Sequence, residues 1–113
     1  MKAYTDLEQS KKLAEILPLE SADMCYRIVA YNPNDTHEYQ PYCFRGTLSS
    51  DIPCWSLAAL FSMLPKSAYL EKGASTELCR LTLPVELITS NWNLEPIDAC
   101  YEMILKLKEK NLL

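Results

Sequence analysis

Glycine is nearly absent: 113 residues hold only Gly46 and Gly73. Two isolated glycines make neither G-x-G-x-x-G nor G-x-x-x-x-G-K-[ST], so nucleotide cofactors cradled by those loops are excluded. Turns fall instead to Pro, Asn, Asp and Ser. Histidine is reduced to His37, in a polar stretch that reads as solvated surface. A zinc site built on it would need cysteine or carboxylate partners delivered by the fold, and no G-x-S-x-G elbow singles out a serine for Ser/His/Asp catalysis. The five cysteines, Cys25, Cys43, Cys54, Cys79 and Cys100, include no C-x-x-C pair, and their spacing predicts reduced, buried, small apolar side chains.

Long apolar runs are missing too. The longest, residues 57–64, is interrupted by Ser62 and falls far short of the ~20 residues a membrane-spanning helix needs. Residues 1–10 carry Lys2, Asp6 and Glu8 and lack the apolar stretch of a secretory signal, so the expected compartment is the cytoplasm. There is no basic surplus: 11 Lys and Arg stand against 15 Asp and Glu, a net charge of −4 spread along the chain, which argues against nucleic acid or a membrane surface as partner.

What is present is enough for a core. Apolar types make up 49% of the residues, and one domain spanning 1–113 can bury them without a metal, disulfide or cofactor. A first helix is predicted over residues 6–17, with Thr5 as cap, Glu8 at the capping-box position and Leu7, Leu13, Ile16 and Leu17 as apolar face; Pro18 ends it. Residues 24–31 and 38–45 read as a hairpin around Asn32-Pro33-Asn34-Asp35, with Pro41 marking a short or edge strand. Residues 51–64 read as a second helix, Asp51 capping and Pro53 in the first turn, stopped by Pro65. Residues 77–83 and 85–91 are expected as strands, with Cys79, Leu81 and Leu83 on one face; Pro84 either separates them or kinks one long strand. The last helix starts at Pro96, with Ile97, Cys100, Tyr101, Ile104 and Leu107 as its stripe and Glu102 four residues before Lys106. The expected class is α+β, a small antiparallel sheet of about four strands packed with about three helices.

The sharpest chemical candidate is Cys54, which this reading puts in the first turn of a helix, where free N–H groups stabilise a thiolate. Papain-like peptidases place a nucleophilic cysteine before a tryptophan in such a setting. They also need an upstream glutamine and a downstream histidine, and His37 lies upstream. Solvated helix charge accounts for the carboxylate pairs Glu15 with Glu20 and Asp98 with Glu102. Tyr4, Tyr26, Tyr31, Tyr39, Tyr42 and Trp92 fall in strands, turns or termini, where exposed members make a surface suited to a protein partner or a second copy. Only Arg27, Arg45 and Arg80 lie nearby, too few to clamp single-stranded nucleic acid.

Two segments, Asp51-Ile52-Pro53-Cys54-Trp55-Ser56-Leu57-Ala58-Ala59-Leu60 and Glu95-Pro96-Ile97-Asp98-Ala99-Cys100-Tyr101-Glu102-Met103-Ile104-Leu105-Lys106-Leu107, resemble small uncharacterised proteins of gut anaerobes and their phages or mobile elements. The run at residues 17–26 is similar as well. The resemblance implies a short stand-alone cytosolic protein of a phage-derived locus and carries no catalytic, cofactor-binding or metal residues. The leading expectation is therefore a non-enzymatic accessory or interaction protein, with self-association in view; the alternative is a thiol-dependent enzyme or redox sensor using Cys54.

Overall fold

The protein, seen as a computed structural model, is described over residues 2–34, 36–74, 76–84 and 86–113. Asp35 of the expected hairpin turn and Val85, where a strand was expected to begin, lie outside the described residues. Helix α1 (Leu7–Ala14) is followed by β1 (Met24–Ala30), β2 (Glu38–Tyr42) and β3 (Ile52–Cys54). Helix α2 (Leu57–Ser62) then leads to β4 (Tyr69–Lys72), β5 (Cys79–Leu83), β6 (Ile88–Thr89) and α3 (Pro96–Glu109). The strands form two antiparallel three-stranded sheets, ordered β2-β1-β3 and β4-β5-β6. The α+β class stands as expected, with six strands in two sheets where about four in one were read.

Helix α1 starts one residue later than its cap suggested. Asp6 is the N-cap, Gln9 completes the reciprocal box (Gln9 N to Asp6 Oδ1 2.8 Å; Asp6 N to Gln9 Oε1 3.1 Å), and Thr5 is used elsewhere. Its buried hydroxyl meets Ser10 Oγ at 2.8 Å and accepts from Trp55 N, tying the N-terminal segment to the chain after β3. The helix stops at Ala14, yet Leu13 and Leu17 both remain core residues.

The second helix is the main correction. Residues 52–54 are strand, paired with β1 through Met24–Cys54, Cys25–Pro53 and Tyr26–Ile52, and α2 begins only after Ser56, whose hydroxyl accepts from Ala59 N. Pro53 is tolerated because β3 is an edge strand, where a missing N–H breaks no inner ladder. Asp51 caps a turn instead of a helix, accepting from Thr47 N and Leu48 N at 3.0 Å each.

The two sheets rest on different cores. Leu81 and Leu83 of β5 pack with Ile97, Met103, Ile104 and Leu107 of α3, with Leu60 of α2 and with fully buried Trp55. Of the stripe read for α3, Tyr101 is only half-buried, while Ala99 and Met103 go inside. A smaller cluster, Met24, Tyr26 and Cys54, sits beneath Tyr4 and Leu7. Pro84 lies in the turn between β5 and β6, which settles the two readings of that region in favour of separate strands; Leu87, in the same turn, has φ 56°. The Cα radius of gyration, 15.0 Å, exceeds the ~13 Å expected for a near-spherical chain of this length, as two small sheets with separate cores require.

Candidate contact surface

The candidates for chemistry do not converge. Cys54 sits in β3, fully buried, and burial pushes its thiol up despite hydrogen bonding by the Thr5 and Ser10 hydroxyls. Met24 lies opposite Cys54 and Ala30 opposite Glu38, so His37 is separated from Cys54 by the length of β1, about 20 Å at ~3.3 Å per residue. Cys43 follows β2, on the far side of β1 from Cys54. His37 is half-buried rather than solvated: its Nδ1 accepts from Asn32 N at 3.0 Å and its ring meets Tyr31 edge-on at 5.2 Å. Cys25, Cys79 and Cys100 are also buried and raised by that burial, Cys100 to about 12. Among the described residues no group of three His, Cys, Asp or Glu side chains could hold a metal, and no helix is long and apolar enough to cross a membrane.

A pocket of about 340 Å³ opens beside β1 and β3, walled by Leu19, Ala22, Met24, Leu48 and Pro53. Two of its charged side chains, Arg45 and Asp51, are already engaged. Arg45 donates to Ala22 O and Glu20 O, while Asp51 is held by Arg27 (Nε to Oδ1 3.0 Å; Nη2 to Oδ2 2.8 Å). The Arg27 guanidinium, with the Leu48 and Thr47 N–H groups, brings the Asp51 carboxyl down to about 2. The arrangement is a brace for the crossing loop of residues 43–51, which passes over β1. A Cβ on Gly46 would stand 2.7 Å from Asp51 Cβ and 3.2 Å from Cys25 Cβ, so glycine is what lets the loop come this close.

The aromatic residues divide between core and surface. Tyr26 is buried, its hydroxyl donating to Thr5 O at 2.8 Å, with Tyr4 edge-on against it. Tyr39 lies under the Lys11 ammonium and Tyr42 beside Phe44. Of the hairpin tyrosines only Tyr31 is well exposed. Phe44, just after β2, is exposed as well, so the first sheet and its flanks present two exposed aromatics.

The second sheet also presents two, Tyr69 and Trp92. Its core face carries Leu70, Cys79, Leu81 and Leu83, and strand alternation puts Tyr69, Glu71, Arg80, Thr82 and Thr89 on the other face. Beyond β6 the chain continues irregularly along β5, with Asn93 bridging Cys79, which brings Trp92 beside Arg80. Two cross-strand rows result, Tyr69–Thr82–Thr89 and Glu71–Arg80–Trp92. The Arg80 guanidinium lies 4.5 Å from the Trp92 ring centroid and donates to Glu71 Oε2 at 2.6 Å, and Thr82 Oγ1 donates to the same carboxylate at 3.1 Å. These bonds hold the Glu71 carboxyl below its usual range. The face is thus charge-balanced and flanked by two half-exposed aromatics, Trp92 at 43% and Tyr69 at 45%.

The sequence places Trp92 among six aromatics in strands, turns or termini, whose exposed members could make a contact surface, and Arg80 only among few basic residues. Tyr69 and all of β4 were missed; their one local signal is the alternation Tyr-Leu-Glu-Lys before Gly73. No family model, curated protein or solved structure matches the chain.

Proposed function

We propose that this protein is a non-enzymatic interaction module that meets another protein through the solvent face of the second sheet. The carrying observation is the row Glu71–Arg80–Trp92 with Tyr69 alongside. Tryptophan, tyrosine and arginine are the side chains that most often anchor protein contacts: the two aromatics bury a large area at little conformational cost, and arginine supplies a planar fork of donors. Here the guanidinium is held over an aromatic ring and its charge is met by Glu71, so covering it strands no lone ion. The same pairing removes Arg80 as a phosphate clamp, and with the net charge of −4 it weighs against nucleic acid. Five unpaired cysteines accord with a reducing cytoplasmic setting. The resemblance of residues 51–60 and 95–107 to small proteins of phages and mobile elements is the ground for proposing that origin.

Capture from a native lysate with wild-type and Trp92→Ala baits, compared side by side, tests the reading. A discrete partner held by the wild type should be weakened by Trp92→Ala by roughly 2 kcal/mol, about thirtyfold, while circular dichroism stays unchanged. Equal retention by both baits, or retention by neither, would refute it.

A further inference from the structure

Four strand edges bound the two sheets, and three are blunted. In β2 Pro41 removes a donor, and β3 carries Pro53 and has the N-terminal segment alongside it through the Tyr4–Ser56 bridge. Next to the two-residue β6, α3 reaches over the edge: Lys106 Nζ donates to Thr89 O at 2.7 Å, and Glu102 accepts from Asn91 N. Only β4 keeps an uninterrupted run of four non-proline residues with, among the described residues, no hydrogen bond from their backbone to anything but β5. Beside that edge runs an apolar groove formed by Leu57, Ala58 and Phe61 of α2, Leu70 of β4 and Cys100 of α3.

We infer that β4 pairs antiparallel with β4 of a second copy, centred on Leu70, joining the two second sheets into one of six strands. The pleat and the charges select this register. A twofold axis perpendicular to the sheet keeps core faces on one side, so residues facing each other must share a face, and only pairings centred on a residue meet that condition. Centring on Glu71 sets two carboxylates directly opposite each other, which is repulsive. Centring on Tyr69 leaves most of each strand facing chain outside the other strand. Centring on Leu70 pairs all of residues 69–71, brings the two Leu70 side chains together at the mouths of both grooves, and sets Tyr69 opposite Glu71.

Stable interfaces bury about 800 Å² per partner, more than an edge of this length offers, so the dimer is weak and concentration-dependent. The inference rests on the second sheet being the contact region and names a partner for it. The twofold leaves both Trp92-bearing faces on one side, so a dimer offers a third protein two copies of the same surface.

Sedimentation equilibrium across the micromolar to millimolar range should show a reversible monomer–dimer equilibrium. Directly opposed residues in an antiparallel pair have Cα atoms about 4.5–5.5 Å apart, within disulfide reach. In a Cys43→Ser background, Leu70→Cys should therefore cross-link under mild oxidation at least about tenfold faster than Lys72→Cys, both variants being checked for folding by circular dichroism. A monomer throughout, equal cross-linking at the two positions, or a dimer whose Leu70→Cys form stays uncross-linked would overturn the inference. A wild-type monomer that still captures a partner through Trp92 overturns the dimer alone; a Leu70-centred dimer whose capture is indifferent to Trp92→Ala overturns the proposed function alone.

Discussion

At the scale of single residues, burial decides what each reactive side chain can do. Cys54 looked activated because Pro53 looked like a helix start, but β1 claims residues 52–54 as a strand and closes over the thiol. A desolvated thiol resists ionisation, and the same holds more strongly for Cys100, pushed up to about 12. In the native protein at neutral pH, iodoacetamide should therefore label Cys43, the exposed cysteine, and leave Cys25, Cys54, Cys79 and Cys100 until denaturant is added. Labelling of native Cys54 at the rate of Cys43 would contradict this and revive the thiol reading. The pH dependence has a fixed sign. Because the folded-state thiol pKa is raised, its contribution to stability is fully present below the ordinary thiol value and is lost as pH climbs from there towards about 12.

At the scale of elements, what was legible in the sequence was what short-range chemistry determines. Helix α3 could be read from its Pro96 start, its acidic first turn and its basic last turn, and the β1–β2 hairpin from β-branched and aromatic runs about a turn. Strands β3 and β4 were not legible, since three or four residues carry little periodicity and become strands only because β1 and β5, distant in sequence, pair with them. The Asp51-x-Pro53 pattern suits a helix start and an edge strand after a turn equally well, and the pairing with β1, together with the Arg27 partner of Asp51, decides between them. The turn from β5 to β6 holds a leucine, Leu87, in the left-handed region, with its side chain 88% exposed. That conformation costs a leucine about 1–2 kcal/mol, partly offset when glycine takes its place by the extra freedom glycine has when unfolded. Leu87→Gly should therefore raise stability, by up to about 1 kcal/mol in urea unfolding, and Leu87→Val should lower it. A loss of stability in Leu87→Gly would show that the turn does not rely on that backbone geometry.

At the scale of the whole molecule, two sheets with separate cores leave two surfaces of different character. The first sheet buries Tyr26, leaves Tyr31 exposed and braces its crossing loop with Arg27 and Asp51; the second holds Trp92, Arg80 and Tyr69 outward. The residue types of that surface were readable in the sequence, but their assembly was not. The alignment of Glu71, Arg80 and Trp92 depends on the register of β4 on β5 and on the irregular run that ends at Asn93. The most direct measurement of which surface meets a partner is site-specific photo-cross-linking in a native lysate, with a photoreactive aromatic residue placed at Trp92 in one protein and at Tyr31, which is 73% exposed at the far end of the hairpin, in another. Discrete adducts from position 92 and none from position 31 are the expected result; adducts from position 31 alone, or the same set from both, would contradict the account.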